Sequence, residues 1–276
     1  MRTVAAGPLP AGANTARVLL LAAHPDDETI GASALLGRVP GATVVFLTDG
    51  SPRDSHLRSP HVSGSRELYA CVRAEEAACA LNLLDISSER IILLQGVDQE
   101  AIHQVHDLVE ACSEIIRDLR PDMVVTHPYE GGHPDHDSAA LIARLTIQAL
   151  AQERPVPGLL EMTSYHAENG VLETGEFLHS APCLLGDIAP AVQIRLTAEE
   201  RARKARMLGC YISQWHVISQ MPLEPERLRL APVYDFSQPP HQGQLWYERL
   251  GWPLTGQRWR ELASQALRVR GAVACP

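Results

Sequence analysis

A chain of 276 residues, 45% hydrophobic and 21% charged, is long enough to bury one sizeable α/β core. No apolar run approaches the ~18 residues of a membrane span, and 33 acidic against 24 basic side chains leave a formal charge of −9. That balance excludes nucleic acid as the main partner, because phosphate binding wants a basic surface.

Six cysteines without a C-x-x-C pair read as buried free thiols, and a cytoplasmic address is expected. Residues 1–16, broken by Gly7, Pro8, Pro10, Gly12 and Asn14, read as a flexible arm rather than a signal peptide. Residues 17–276 read as a single α/β domain, with an extension from about residue 222 that no pattern places.

Residues 17–23 form an apolar strand that stops at His24-Pro25-Asp26-Asp27-Glu28, one imidazole and three carboxylates, before a helix running to Arg38. Pro25 holds His24 extended, since the α region is disfavoured before proline. Asp26 and Asp27 are neighbours in the turn whose side chains diverge, so one can face a metal and the other whatever the metal binds. Residues 42–48 are a second strand, apolar on both faces as a buried parallel strand should be, ending in Asp49-Gly50-Ser51-Pro52. The stretch 51–65, rich in Ser, Pro, Gly and His, is a loop with the length of a lid.

A helix is expected over 67–83, a strand over 90–94 ending in Gly96-Val97-Asp98, and a helix over 100–119. Residues 122–127 are a fourth strand, followed by a second polar knot in which His133 and His136 stand three apart. Residues 138–152 then read as helix. Four strand–helix alternations with right-handed crossovers predict a Rossmann-like, mostly parallel sheet with helices on both faces. Further on, strands at 159–166 and 191–196 and a helix at 198–210 are expected.

Parallel strands bring their carboxyl ends to one edge, so the two knots can meet there. Two histidines and a carboxylate suit a divalent metal with an open position. His24-Pro25-Asp26-Asp27-Glu28 and His133-Pro134-Asp135-His136 carry a resemblance to a known family. Leu47-Thr48-Asp49-Gly50, Arg73-Ala74-Glu75-Glu76, Asp98, Pro121-Asp122-Met123-Val124-Val125 and a fainter Tyr211-Ile212-Ser213-Gln214 add to it. The chain resembles the PIG-L/LmbE-like zinc-dependent N-acetylglucosaminyl deacetylases over roughly its first half.

The resemblance implies His24, Asp27 and His136 as ligands of Zn2+, with Fe2+ the alternative. It implies Asp26 as general base and His133 as oxyanion stabiliser and general acid, with Asp135 hydrogen-bonded to His133 and keeping it protonated. Arg73 and Asp98 would contact sugar hydroxyls. The implied function is hydrolysis of a linear amide, removing the N-acetyl group from an N-acetylglucosamine-type amino sugar or its glycoside. The partner is then a small molecule, with homo-oligomerisation left open. Two departures, Ala32-Ser33-Ala34 in place of a glycine-rich helix start and Gly131 where some relatives carry tyrosine, bear on substrate identity and not on the ligands.

Blander roles compete at each position. Asp27, Glu28 and Asp135 suit helix N-caps or first turns. Arg73 suits a pair with Glu76. His127 has no role in the motif, and Trp215, Trp246, Trp252 and Trp259 suit core packing better than sugar stacking. Competing functions are a metal-dependent amidase on a non-carbohydrate amide, an iron oxygenase, or a non-catalytic sugar-nucleotide-binding Rossmann-like module. Against the last, the first turn lacks G-x-G-x-x-G.

Overall fold

The computed structural model describes residues 16–153 and 155–269. Each apolar run of the first half becomes a strand that feeds a helix: β1 (Val18–Ala22) and α1 (Asp27–Arg38), β2 (Thr43–Thr48) and α2 (Arg66–Asn82), β3 (Ile91–Gly96) and α3 (Val105–Leu119), β4 (Met123–Thr126) and α4 (Pro134–Ala151). The second half adds β5 (Gly158–Met162), a hairpin of β6 (Tyr165–Glu168) and β7 (Val171–Thr174), then β8 (Cys183–Leu185) and β9 (Val192–Ile194). After these come α5 (Ala198–Leu208), α6 (Trp215–Ile218), β10 (Glu226–Leu230), β11 (Val233–Tyr234), α7 (Trp246–Arg249) and α8 (Gly256–Val269).

The main sheet has the order β3-β2-β1-β4-β5-β10-β9. Its first five strands pair in parallel, while β10 runs antiparallel to both β5 and β9. The expected mostly parallel, Rossmann-like sheet is therefore present. Strand β1 lies at its middle, and all five of its residues are buried. Side chains alternate along it: Leu19 and Leu21 join the core under α3, α4 and α8, while Val18, Leu20 and Ala22 join the core on the other face with Leu35, Leu81 and Met207. Consecutive strands add outward from β1 on one side and return to its other side at β4. Strand order reverses between β1 and β4, which is where an open α/β sheet leaves a crevice at its carboxyl edge.

Several boundaries differ from expectation for local reasons. Helix α4 starts at Pro134 rather than at residue 138, because proline is pre-organised for the first helical position and His133 serves as N-cap. The strand expected over 159–166 breaks at Thr163 and Ser164 into β5, in the main sheet, and β6, in the hairpin. Helix α5 forms as expected, opened by a reciprocal cap: Thr197 Oγ1 accepts from Glu200 N (3.2 Å) and Glu200 Oε2 accepts from Thr197 N (2.7 Å). The unplaced extension is part of the architecture. Strand β10 joins the sheet beside β5, and α8 packs on α4 through fully buried Trp259, whose Nε1 donates to Pro134 O (3.1 Å) and Ser138 Oγ (3.0 Å).

The cysteines correct one expectation. Cys112 is buried, but Cys71 and Cys79 are exposed and Cys183 and Cys210 intermediate, with the sulfurs of Cys79 and Cys210 3.0 Å apart. Residues 1–15 of the expected arm, and Cys275, lie outside the described residues. Among the described residues no helix is long and apolar enough to cross a membrane.

A buried ion pair ties α1 and α5 to β10. Glu226 accepts from Lys204 Nζ (2.9 Å), Ser33 Oγ (2.6 Å) and Ala34 N, and Lys204 also donates to Ile30 O (2.7 Å). Both charged side chains are about 1% exposed. Removing one partner strands the other charge away from water, at a cost of about 3–5 kcal/mol. Glu226→Leu should lower the unfolding free energy in urea by about that amount, and a loss below about 1 kcal/mol would show that Lys204 finds water or another partner.

Candidate active site

Strands β1 and β4 run side by side, with Leu20 opposite Val125, and the polar residues that follow them meet at the carboxyl edge. Asp26 occupies the N-cap position of α1 with φ 125° and makes no capping bond with its side chain. That backbone region is uncomfortable for any residue with a Cβ, at a cost of about 1–3 kcal/mol. Glu28 holds the turn in place. It is fully buried and accepts from Asp26 N (2.9 Å), Thr29 Oγ1 and Tyr211 OH. The result turns the Asp26 carboxylate away from its helix and toward Arg73, whose Nη2 donates to Asp26 Oδ2 (3.0 Å) and to Pro25 O.

Asp27 stands between two imidazoles. Its Oδ2 lies 3.4 Å from His24 Nδ1 and its Oδ1 lies 3.1 Å from His136 Nε2. Ligand atoms held about 2.0–2.1 Å from one tetrahedral ion sit about 3.4 Å apart, a spacing that each of these two pairs meets through a different Asp27 oxygen. The group that brings Asp27 within 4.8 Å of two imidazoles is Asp27 with His127 and His136. His24, His133 and His136 also bring ring nitrogens within 4.8 Å of one another. Behind them lies His127, fully buried, its ring stacked on His136 at 4.0 Å and 14°. His127 Nε2 accepts from Ala23 N (3.1 Å) and lies 3.2 Å from Asp27 Oδ2.

The opposite nitrogen of His24 faces carboxylates. Its Nε2 is 3.0 Å from Asp135 Oδ2 and 3.3 Å from Asp98 Oδ1. Asp135 is anchored there by Gln99 N (2.6 Å) and Ala101 N (3.0 Å). The expected carboxylate bond from Asp135 to His133 is therefore not formed. At a helix start the N-cap side chain faces the backbone N–H two residues on; accordingly, His133 Nδ1 accepts from Asp135 N at 3.0 Å. A ring whose Nδ1 accepts carries its proton on Nε2. Burial, together with the neighbouring His24 and His136 rings, holds the His133 pKa well below its usual value. Both the accepting Nδ1 and the lowered pKa favour a neutral His133 with its proton on Nε2.

The charges of these side chains, taken alone, leave a surplus of negative charge. Burial disfavours the His24 imidazolium, yet Asp98 and Asp135 outweigh it and raise the His24 pKa well above its usual value. Burial also works against the Asp27 carboxylate, but His136 and His127 hold its pKa well below the usual range. Burial pulls His136 down to about 4. Asp26 is pushed up to about 7 by burial, against the pull of Arg73. Asp98 Oδ1 and His127 Nδ1 are buried without a hydrogen-bond partner. Imidazoles and carboxylates gathered in one dry cluster are the donor set of a divalent cation, which would displace the proton that Asp98 and Asp135 hold on His24.

A cavity of about 460 Å3 opens over the cluster and is lined by His24, Asp26, Asp27, Arg73, Asp98, His133 and His136, while Asp135 lies behind His24. Arg73 and Asp98 both line it. Arg73 is 2% exposed and also lies 3.6 Å from Glu76. The loop 51–65 contributes Pro52, His56 and Leu57 to the wall. Of the four tryptophans, Trp259 is core, Trp215 is exposed, and Trp246 and Trp252 line the cavity. Trp252 meets the His133 ring edge-on at 4.8 Å.

Local pattern reading gives His127 no role, leaves Glu28 as a helix-start acid and Trp252 as core, and passes over Tyr165. The position of His127 at the end of a strand was a visible signal, but an imidazole there has too many structural uses to stand out. Tyr165, whose ring lies 5.2 Å from His136, arrives on the hairpin. That hairpin passes so close to the second knot that a Cβ on Gly132 would stand 1.9 Å from Tyr165 O, so only glycine fits.

A family model described as PIG-L, GlcNAc-PI de-N-acetylase, matches residues 19–149. The chain is 31% identical over 176 residues to 1D-myo-inositol 2-acetamido-2-deoxy-alpha-D-glucopyranoside deacetylase 1 of Catenulispora acidiphila, covering 55% of this chain and 54% of that protein. It is 28% identical over 142 residues to a probable N-acetyl-alpha-D-glucosaminyl L-malate deacetylase 2 of Bacillus subtilis, covering 50% and 64%. The chain spans about half the length of the curated relatives it matches most strongly. A crystal structure of a deacetylase triple mutant involved in teicoplanin biosynthesis shares the fold, with a TM-score of 0.56 at 18% identity over 78% of this chain and 97% of that one. Residues 19–149, which hold β1, β4 and both polar knots, are the part of this chain that matches the PIG-L family model.

Proposed function

We propose that this protein is a metal-dependent hydrolase that removes the N-acetyl group from an N-acetylglucosamine-type amino sugar or its glycoside. The observation that carries the reading is the floor of one cavity. Asp27 lies there at ligand distance from both His24 and His136, with Asp26 and His133 lining the same space. The deacetylase names of the matched relatives support the reaction type.

His24, Asp27 and His136 would hold a zinc ion, or iron(II), which when bound polarises a carbonyl and lowers the pKa of a water molecule. Asp135 orients His24 through Nε2, the usual task of a carboxylate behind a metal-binding imidazole. Asp26, held by Arg73, accepts a proton from the attacking water. His133 donates its Nε2 hydrogen bond to the carbonyl oxygen as negative charge grows there. A neutral imidazole is a poor source of a full proton, so Asp26 passes the proton it took to the amide nitrogen as the C–N bond breaks. Acetate leaves and the free amine remains. In this reading Asp98 accepts a sugar hydroxyl, and Arg73 supports the base as well as lining the sugar site. The free thiols fit a cytoplasmic setting.

The test is acetate release from N-acetylglucosamine and a set of its glycosides, with metal content measured on the same protein. Activity that a chelator abolishes and zinc or iron(II) restores is the expected result. No acetate from any member by metal-loaded protein would overturn the reading.

A further inference from the structure

The cavity is divided by chemistry. Asp26, Asp27 and Asp98 make its floor acidic, among the imidazoles of His24, His133 and His136. The rest of the wall carries apolar Trp252, Trp246, Leu172, Met221, Val217 and Leu250. The uncharged amides of Gln99, Gln214 and Gln220 and the imidazole of His216 lie among them. Val217 is 38% and Leu250 49% exposed, so apolar surface faces solvent at the mouth. A volume of about 460 Å3 falls in the ~300–1,000 Å3 range of pockets that enclose drug-sized ligands, which leaves room for a group beyond one sugar ring.

Cations for an acidic ligand are missing. Among the described residues lining the cavity, Arg73 is the one permanently charged base, and Asp26, Pro25 O and Glu76 already engage it. The adjoining cleft adds Arg53, which Glu100 holds at 2.8 Å. His56 at the mouth is 2.9 Å from Asp54. A carboxylate or phosphate lying on the wall, away from the proposed metal floor, would thus find no free guanidinium or ammonium among the described lining residues, and a desolvated unpaired charge is strongly disfavoured. An apolar group, by contrast, would cover the exposed rim and gain from its removal from water.

We propose that the aglycone this site accepts is uncharged and apolar, an aryl or alkyl group lying on Trp252, Leu250 and Leu172, and that anionic aglycones are rejected. The proposal rests on the deacetylase reading of the floor and adds to it the class of glycoside. It sets this chain apart from a relative whose name specifies a malate glycoside, which carries carboxylates.

Matched substrates test it: the methyl, phenyl and 4-carboxyphenyl N-acetylglucosaminides, in both anomeric forms, assayed for kcat/KM by acetate release. Kd for the corresponding glucosaminides, which cannot be turned over, is measured by calorimetry. One buried ring should favour phenyl over methyl by about tenfold, and the added carboxylate should cost at least that factor again. Leu250→Arg, at an exposed position, should shrink the phenyl to 4-carboxyphenyl ratio by about fivefold or more. Equal acetate release from all three glycosides would overturn the aglycone assignment and leave the deacetylase reading intact. The expected order in Kd with no acetate released would do the reverse, and a 4-carboxyphenyl compound preferred in either measurement would overturn the proposal.

Discussion

Replacing Asp26 with asparagine should slow acetate release by at least ~100-fold while metal content stays at the wild-type level. The amide cannot accept the proton of the attacking water, and no neighbour can take over, since Glu28 is bonded to Asp26 N, Thr29 and Tyr211 and faces away from the cavity. Asparagine tolerates φ 125° about as well as aspartate, so the turn survives. Arg73 keeps Pro25 O and the Glu76 carboxylate as partners. Metal analysis and kcat on the same preparation separate the outcomes. A parallel loss of metal would make Asp26 a ligand instead of a base, and near-wild-type kcat would remove it from the chemistry.

His136→Ala should weaken metal binding by well over the ~10–100-fold typical of a supporting residue, and activity should vanish with the metal. His127→Ala is the needed companion, because Asp27 stands nearly as close to His127 as to His136, at 3.2 against 3.1 Å. The two histidines differ in what else they do. His127 Nε2 is already occupied by the Ala23 amide and its ring has no part in lining the cavity, whereas His136 lines it. His127→Ala should therefore fall within the ~10–100-fold range, through loss of the stacked support behind His136. Chelator competition measured on both variants decides the assignment. If His127→Ala loses metal more completely than His136→Ala, the ligand is His127.

How much of the site could be read in advance depended on whether its cause was local. The turn at Pro25 and the N-terminal proline of α4 act within a few residues, so both knots could be placed at strand ends and helix starts. The partner of each carboxylate could not. Asp135 looks, in one dimension, like the natural neighbour of His133, two residues away. In three dimensions α4 begins at that point, its N-cap geometry gives His133 the backbone amide of Asp135, and the carboxylate is left to reach His24, 111 residues distant. The same cause gives His133 Nδ1 a backbone amide in place of the carboxylate expected to keep its ring protonated. Glu28, which local reading leaves as a helix-start acid, proves to hold the strained Asp26 turn against Tyr211.

The order of apolar runs, the breaks between them and the two polar knots were enough to determine a central parallel sheet with imidazoles and carboxylates at its carboxyl edge. Side-chain alternation, proline geometry and crossover handedness act over short stretches and leave few other arrangements. Tertiary structure alone decided which imidazole each carboxylate serves, that β10 extends the sheet beside β5, and that Trp246, Trp252 and Leu250 wall the cavity. Those outcomes come from packing between segments far apart in the chain, as where Leu228 pairs with Met162 and Trp259 binds Pro134 O, and such contacts leave no periodic trace in the residues that make them.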